Sequence, residues 1–399
     1  MDIDRPTPLL GGLSPATFMR RHWQKEPLLV RGALADPLPG FDRRRLFALA
    51  ARDDVESRLV VRRGGRWSLR PGPLPRRALP SLATPAWSVL VQGVDLHDAD
   101  AHELLQRFRF VPDARLDDVM VSFASDGGGV GPHVDSYDVF LLQLAGRRRW
   151  RVGRSARPRL RDDVPLKMLA DFVPAEDWLL EPGDMLYLPP GWGHDGVAVG
   201  ECLTASIGFR APAAGGLAAA VLQRLAEEVA PIEDDEEDED GERSGAGSRA
   251  VRDPLYADRR QEATASPARI PEALQRFADG AVVRATANAR MRQRALGEVL
   301  SEPKPGTWFE RGAPARLEGA LVLDRRSRML YDADHIYLNG ESFRAGGRDA
   351  TLVRRLADAR RLDGDACRRL SAQARALVER WLEAGWCRGD DEGGEDGDG

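Results

Sequence analysis

The sequence has few of the residues that build disulfide frameworks and zinc sites. Of its 399 residues, only three are cysteine and six are histidine. Cys202, Cys367 and Cys387 lie far apart, and none belongs to a CxxC unit with metal-ligand spacing. We therefore expect no disulfide framework, and this cysteine usage fits a reduced, cytoplasmic setting.

Long apolar runs and an excess of positive charge are also missing. No segment reaches the roughly 18 consecutive apolar residues that a membrane span requires. The acidic amino terminus is followed by no run long enough for a secretory signal. The formal net charge of −5 gives no general affinity for nucleic acid, although it suits a basic protein as partner. We expect a cytoplasmic protein without membrane contact or direct nucleic-acid binding.

The first part of the chain, residues 1–212, predicts a β-rich domain with a helical start. Ser14 followed by Pro15 is typical of a helix N-terminus. Apolar, strand-like segments bounded by turn residues begin at Trp87, Val119, Val139, Arg149 and Met185. Many short strands without intervening helices favour a sandwich or barrel over a doubly wound parallel sheet.

Residues 213–310 have helical patterns that are interrupted by an acidic segment at about 232–250. Like charges at this density repel one another, so the segment is predicted to be disordered. The alternative is an acidic arm that attracts a basic substrate. The helices carry more apolar positions than a short bundle hides, and we expect them to pair with a second copy as a homodimer.

Residues 311–388 predict a small α/β module. Strand-like segments begin at Ala320 and His335, and two helical patterns follow. The remaining residues, 389–399, are acidic and rich in glycine, so they are predicted to be a disordered tail.

Two short segments supply a candidate metal site. Gly-Pro-His-Val-Asp at 131–135 contains His133 and Asp135, whose side chains leave the same face of one extended strand. His194 ends a segment of turn, strand and second turn, which would carry it to the far side of a closed barrel. Two imidazoles and one carboxylate leave open positions on a non-haem Fe(II) for oxygen and a co-substrate. A lone His-x-Asp pair is common by chance, so the prediction depends on the second segment.

These segments, 131–135 and Pro-Gly-Asp-Met-Leu-Tyr-Leu-Pro-Pro-Gly-Trp-Gly-His at 182–194, resemble the JmjC subgroup of cupin-fold, Fe(II)- and 2-oxoglutarate-dependent oxygenases. Residues 13–32 and Gly-Arg-Arg-Arg-Trp-Arg-Val-Gly at 146–153 are similar to the ribosomal oxygenases within that family. The resemblance implies an α+β chain: a double-stranded β-helix (jelly-roll) barrel, a helical dimerisation region and a winged-helix-like domain. It also implies 3-hydroxylation of an arginine on the sixteenth large-subunit ribosomal protein. The acidic insert departs from the family pattern.

Further site residues follow from strand parity and from the resemblance. Arg147, Arg148 and Arg149 compete to bind the distal carboxylate of 2-oxoglutarate, because a guanidinium suits a carboxylate. The matching family position is Arg148, and alternation sends its two neighbours to the opposite face. On an earlier strand Ser122 and Met120 are predicted to contact the co-substrate.

The same parity places three candidate substrate contacts in the cavity. Asp118 shares a face with Met120 and Ser122 and could hold a substrate guanidinium, although it could also be a turn residue. Tyr137 follows His133 inward, where its ring could stack on that guanidinium. Ser206, on the strand after the second histidine, is the third candidate.

Three rival functions stay open on the sequence. One is a related oxygenase that hydroxylates a histidine or removes an N-methyl group from another protein. Another is a non-catalytic cupin that only binds metal. The third is a DNA-binding protein that uses its carboxy-terminal module, where His335 and the pairs Arg354-Arg355 and Arg360-Arg361 are found. The acids of the same region favour a protein-contact or structural role for this module.

Overall fold

The computed structural model describes residues 2–154, 158–229, 254–259, 262–263, 266–313, 316–344 and 346–390. The chain divides into two compact units. The first holds residues 1–211 and two short pieces at 305–308 and 324–326, and the second holds the rest. The predicted acidic insert at 232–250 and residues 391–399 of the predicted tail lie outside the described residues.

The first unit is mostly antiparallel β-structure. Its helices are α1 (Pro15–Arg21), α2 (Arg43–Ala50) and α3 (Ala99–Gln106), with 3-10 turns at Pro8–Leu10, Arg76–Ala78 and Val94–Leu96. Its strands are β1 (Leu28–Val30), β2 (Ser57–Arg63), β3 (Arg66–Pro71), β4 (Trp87–Val91), β5 (Leu116–Ala124), β6 (His133–Val134), β7 (Val139–Arg154), β8 (Glu176–Leu180), β9 (Met185–Leu188) and β10 (Trp192–Phe209). The β-rich domain predicted from the sequence is confirmed.

The strands follow the order β1-β9-β7-β10-β5-β4-β2-β3, while β6 pairs with β10 and β8 pairs with β7. The long strands β7 and β10 form the centre of this order. Their register shifts between Val199 and Leu203, where Gly146 and Gly200 have φ of +62° and +74°. Glycine adopts this backbone conformation at little cost, so the strands bend there without breaking. The two separate strands predicted to begin at Val139 and Arg149 are therefore one continuous strand.

The amino-terminal helix begins as predicted. Ser14 caps α1, because its Oγ accepts a hydrogen bond from the backbone N–H of Thr17 at 3.2 Å, and Pro15 is the first helical residue. Phe18 on this helix is fully buried and packs against Phe140 on β7 and Tyr187 on β9. The helix thus covers one face of the sheet.

The second unit contains helices and two small sheets. Its elements are α4 (Ala214–Val229), α5 (Glu272–Ala287), α6 (Ala289–Ser301), β11 (Ala320–Leu323), β12 (Met329–Tyr331), β13 (His335–Leu338), β14 (Glu341–Arg344), α7 (Gly347–Ala359), β15 (Arg361–Leu362), α8 (Gly364–Arg368), α9 (Ala372–Glu383) and β16 (Cys387–Asp390). The sheets have the orders β15-β11-β16 and β12-β13-β14. Strands at Ala320 and His335 and the following helices were predicted correctly, but β16 extends into the start of the predicted tail.

Leu321, Leu356 and Trp381 form the centre of the core beneath these small sheets. The finer division of the second unit at residue 310 stays a prediction. Cys202, Cys367 and Cys387 are free and buried. Among the described residues, no helix combines the length and the apolar character that crossing a membrane requires.

Candidate metal centre

Two neighbouring strands bring the predicted metal ligands together. His133 on β6 lies opposite His194 on β10 in an antiparallel pair, and their ring centroids are 4.1 Å apart. Asp135 follows β6, and its Oδ2 is 3.5 Å from His194 Nε2. One ligand atom from each of the three residues lies within 4.8 Å of the others. The prediction that His194 arrives from the far side of a barrel was wrong, since β10 is the strand adjacent to β6.

The hydrogen bonds of both histidines leave one ring nitrogen of each for a metal. Nδ1 of His133 is 2.9 Å from the carbonyl oxygen of Gly131, and Nδ1 of His194 is 3.1 Å from that of Trp192. A carbonyl only accepts, so each Nδ1 carries the proton and each Nε2 keeps its lone pair. Burial, assisted by neighbouring His133, lowers the pKa of His194 to about 4. The His194 ring is therefore neutral at neutral pH, as a metal ligand must be.

Two glycines allow other residues to pack closely around His194. A Cβ at Gly196 would lie 2.6 Å from the ring of Trp150, and one at Gly193 would lie 3.0 Å from the ring of Phe172. The Trp150 ring centroid is 5.8 Å from that of His194. A side chain at Gly196 would displace the Trp150 ring that packs beside the imidazole, and one at Gly193 would crowd the Phe172 ring. This close packing accounts for the Gly-His-x-Gly pattern at residues 193–196.

The triad lies in a cavity of about 250 Å³, and Arg148 lies in the same cavity. Nη1 of Arg148 donates to Ser122 Oγ and to Thr204 Oγ1, each at 3.2 Å. Arg148 is 5% exposed, whereas Arg147 and Arg149 are exposed, as alternation along β7 predicts. The sequence therefore predicted which of the three arginines points inward.

Thr204 is the site residue that sequence reasoning missed. It lies opposite Ser122 in the β5–β10 pair and opposite Gln143 in the β7–β10 pair. Its hydroxyl donates to Gln143 Oε1 at 3.1 Å while it accepts from Arg148. Strand alternation could have predicted it, because Thr204 is two residues before Ser206 on the same strand and its side chain therefore lies on the same face.

Arg148 has no carboxylate partner among the residues that the structure describes. Its Nε is buried without a hydrogen bond. Trp150 Nε1 and Ser88 Oγ, from two other residues that line the cavity, are also buried without partners. A buried cation without a counterion is costly. The cavity therefore fits an anionic ligand with hydrogen-bonding groups.

The strand β5 presents its two faces as predicted. Asp118, Met120 and Ser122 line the cavity, whereas Val119 and Val121 are buried in the hydrophobic core. Asp118 is not a surface turn residue: it is 1% exposed. Its Oδ2 accepts from Gln92 Nε2 and from the backbone N–H of Gly93, both at 2.8 Å. These bonds hold a carboxylate at the cavity wall.

Tyr137 and Ser206 also line the cavity. Tyr137 is 40% exposed and does not continue a strand, because β6 ends at Val134. Parity along β6 therefore does not explain its position. Burial and the nearby Asp135 carboxylate raise the pKa of the Tyr137 phenol, which stays protonated.

A buried network under Tyr137 fixes the segment that carries it. The next residue, Asp138, is fully buried and accepts hydrogen bonds from Tyr187 Oη at 2.6 Å, Gln24 Nε2 at 3.0 Å and Arg115 Nη2 at 3.3 Å. A fully partnered buried carboxylate is a rigid anchor. The network therefore holds the connection between Asp135 and β7 at the cavity mouth.

Comparison with known families and proteins identifies both parts of the chain. The JmjC domain model matches residues 103–217, and the ROXA-like winged helix model matches residues 284–388. The ribosomal protein uL16 3-hydroxylase of Escherichia coli is 41% identical over 212 residues, which are 52% of this chain and 56% of that protein. Ribosomal oxygenase 1 of Rattus norvegicus is 33% identical over 211 residues, or 47% of this chain and 33% of that protein.

The chain thus aligns with about half the length, or less, of these curated relatives. Similarity in structure extends further. The X-ray structure of E. coli YcfD matches with a TM-score of 0.77 and 28% identity, covering 94% of this chain and 98% of that one. A structure described as YcfD, a ribosomal oxygenase, in complex with cobalt and 2-oxoglutarate matches with a TM-score of 0.73, 28% identity and the same coverage. The chain thus contains a JmjC domain and, in its carboxy-terminal part, a ROXA-like winged helix.

Proposed function

We propose that this protein is an Fe(II)- and 2-oxoglutarate-dependent oxygenase that 3-hydroxylates an arginine of the large-subunit ribosomal protein uL16. The observation that carries the proposal is the pairing, in one cavity, of a His-Asp-His triad with a buried arginine that has no carboxylate partner among the described residues. The E. coli relative named as a uL16 3-hydroxylase supports the choice of substrate. A ribosomal-protein substrate also suits a cytoplasmic enzyme.

The donor set fits iron. His133, Asp135 and His194 would hold the ion through two imidazole nitrogens and one carboxylate oxygen, the facial set that non-haem Fe(II) oxygenases use. When bound, iron and 2-oxoglutarate supply oxidative chemistry, in which one atom of O₂ enters a substrate C–H bond and the other enters succinate as CO₂ leaves. This chemistry requires no nucleophile or acid-base dyad from the protein.

The residues at the Arg148 end of the cavity bind and orient the co-substrate. The guanidinium of Arg148 would pair with the distal carboxylate of 2-oxoglutarate, and Ser122 and Thr204 hold that guanidinium in place. Met120 lines the cavity two residues before Ser122 on β5 and would contact the same ligand. The apolar wall formed by Val139 and Leu141 limits water around it.

The residues at the mouth suit a guanidinium substrate. Asp118 provides a buried carboxylate that is already held in position, and a carboxylate binds a guanidinium through paired hydrogen bonds. The ring of Tyr137 provides a partly exposed aromatic face for a cation. Ser206 adds a hydroxyl on the adjacent strand. Together these groups would orient an arginine side chain toward the triad.

The test is direct hydroxylation of recombinant uL16 by the purified protein with Fe(II) and 2-oxoglutarate. We expect succinate formation that depends on uL16, and one added oxygen atom on an arginine in the mass spectrum. The variant His133→Ala should lose both signals. His97→Ala is the matched control, since His97 does not line the cavity. Oxygen on a histidine, loss of a methyl group, or full turnover by His133→Ala would each refute the proposal.

We also propose that residues 213–310 form a dimerisation region. Leu222 on α4 is 52% exposed, and Val282 and Val283 on α5 are 63% and 65% exposed. Exposed apolar residues on adjacent helices are typical of surfaces that a partner covers. Sedimentation at micromolar concentration should show a dimer, and a monomer would contradict this assignment.

A further inference from the structure

The hairpin formed by β2 and β3 is strongly basic. Residues 57–79, which include this hairpin and the following 3-10 turn, contain seven arginines and no acidic residue. The whole chain has a net charge of −5, so the local charge of this segment is opposite in sign to the net charge. The seven arginines, which we name the hairpin arginines, are Arg58, Arg62, Arg63, Arg66, Arg70, Arg76 and Arg77.

Among the described residues, the hairpin arginines have no acidic partner. All except Arg58 are exposed. Their contacts within the protein are with uncharged groups. Arg62 lies over the ring of Trp67 at 5.5 Å, and Arg76 lies over that of Phe47 at 5.9 Å. Their charges are therefore available to an external anion.

The tip of the hairpin places like charges opposite each other. Arg63 and Arg66 are direct partners across the β2–β3 pair, on either side of Gly64 and Gly65, which have φ of +55° and +78°. Like charges at such positions destabilise a hairpin. The strand β3 is also the last strand of the sheet order. A charge protects an edge strand from aggregation, and Arg66 and Arg70 on β3 are enough for that role; the other five hairpin arginines lie outside this strand.

We propose that this basic hairpin binds the phosphate backbone of RNA. Its tip, Arg-Arg-Gly-Gly-Arg-Trp at 62–67, combines arginines for phosphates with a partly exposed tryptophan on which a base can stack. The inference rests on the proposed function in one respect: a ribosomal-protein substrate is basic and is not itself attracted here. Ribosomal RNA bound to such a substrate is the anion that would reach the hairpin.

The position of the hairpin supports this choice. Arg58, Val60 and Leu69 from β2 and β3 line the wall of the cavity that holds the metal triad. The same cavity presents Asp118 to the proposed substrate. The cavity would thus bind a basic side chain of the substrate at Asp118, while the adjacent hairpin binds phosphates of the nearby RNA. This local binding differs from the expectation, based on net charge, that the protein does not contact nucleic acid.

The test measures RNA binding by the full-length protein. A fluorescein-labelled single-stranded RNA of about 16 nucleotides, the upper site size of a single binding groove, is titrated in an anisotropy assay at several salt concentrations. We expect the triple variant Arg62→Ser, Arg63→Ser, Arg66→Ser to weaken binding at least about 10-fold. It should also reduce the slope of log K against log salt by about 2, since each lost phosphate contact contributes about 0.7.

A matched control removes the same charge elsewhere. The variant Arg20→Ser, Arg21→Ser, Arg44→Ser changes three exposed arginines outside the hairpin, and it should alter affinity less than about 2-fold, since only the lost long-range charge acts. Both variants should hydroxylate a free uL16 peptide at the wild-type rate. If the wild-type protein does not hydroxylate the peptide, the proposed function fails while the RNA assay still reports on the hairpin.

Three results would overturn the inference. The first is no RNA binding by the wild-type protein at low salt. The second is equal weakening by the hairpin variant and the control variant. The third is tighter, hairpin-dependent binding of polyglutamate than of RNA, which would identify the hairpin as a surface for acidic protein.

Discussion

Two arginine-rich regions of this protein use their arginines in different ways. In the carboxy-terminal winged helix, three arginines bind groups of the protein itself. Arg354 donates to the carbonyl oxygens of Asp332 and Ala333. Arg355 pairs with the carboxylate of Asp363, and Arg360 donates to the carbonyl oxygen of Ser327. In the β2–β3 hairpin, none has a carboxylate partner among the described residues. Arginine content alone therefore does not locate a nucleic-acid surface; the partners of each guanidinium do.

The largest effect is expected at Arg148, which is buried and has no carboxylate partner among the described residues. Arg148→Met should weaken 2-oxoglutarate binding about 100-fold or more, because loss of one partner of a buried charge pair costs about 3–5 kcal/mol. The same change should raise the free energy of unfolding of the ligand-free protein by about 1–3 kcal/mol, since it removes a buried charge. Calorimetric titration and urea unfolding measure the two effects.

Arg149→Met is the control for this comparison, because Arg149 is exposed on the opposite face of β7 and pairs with Asp177 at 3.1 Å. Its removal should leave 2-oxoglutarate affinity unchanged. If Arg148→Met destabilised the ligand-free protein instead, its guanidinium would have a compensating partner within the fold. The argument for an anionic ligand would then fail.

The next largest effect tests whether winged-helix arginines serve the fold. Arg360 Nη1 and Nη2 are 3.2 and 3.1 Å from the carbonyl oxygen of Ser327. Arg360→Ala should lower the free energy of unfolding by about 2 kcal/mol, the contribution of a charged hydrogen bond. Because Arg360 has φ of +57°, Arg360→Gly should recover about 1 kcal/mol of that loss. Equal stability of wild type and Arg360→Ala in urea would contradict a structural role.

A smaller effect is expected at Thr204, which holds the buried arginine. Thr204→Val keeps the side-chain shape but removes the hydroxyl between Arg148 and Gln143. We expect 2-oxoglutarate affinity to fall about 5-fold, equivalent to about 1 kcal/mol for one hydrogen bond. Thr204→Ser keeps the hydroxyl and should bind nearly as well as wild type in the same titration. Equal losses in both variants would show that packing, not the hydrogen bond, matters there.

The sequence predicted the features that depend on local periodicity. Strand alternation placed Asp118, Met120 and Ser122 on one face and separated Arg148 from its neighbours, because the side-chain period of a strand is two wherever it pairs. It could not predict which strands pair. The position of His194 beside His133 depends on the β6–β10 pairing, which joins segments about 60 residues apart, a separation at which local propensity carries no register information.

The β2–β3 hairpin shows a similar limit on what the net charge of a sequence can predict. The net charge adds up residues that lie far apart in the folded protein. The binding of an external anion depends instead on which charged side chains have no partner after folding. Trp67 and the hairpin arginines can be read from the sequence, but only the structure shows that these arginines have no acidic partner among the described residues. The same holds for His335, which is 8% exposed on β13 and is therefore poorly placed for the DNA contact that its position in a winged helix suggests.

The smallest expected effect separates the two arginine-rich regions most directly. Arg354→Gln with Arg355→Gln removes two positive charges from α7, on which the alternative of DNA binding by the carboxy-terminal module depends. Arg354 already donates to two backbone carbonyls, and Arg355 is paired with Asp363 at 2.7 Å. Arg354 is therefore held by the backbone, and the charge of Arg355 is partly neutralised. We expect RNA affinity in the anisotropy assay to change less than about 2-fold. A loss of about 10-fold, with the hairpin variant unaffected, would place the nucleic-acid surface on the winged helix and reverse the comparison.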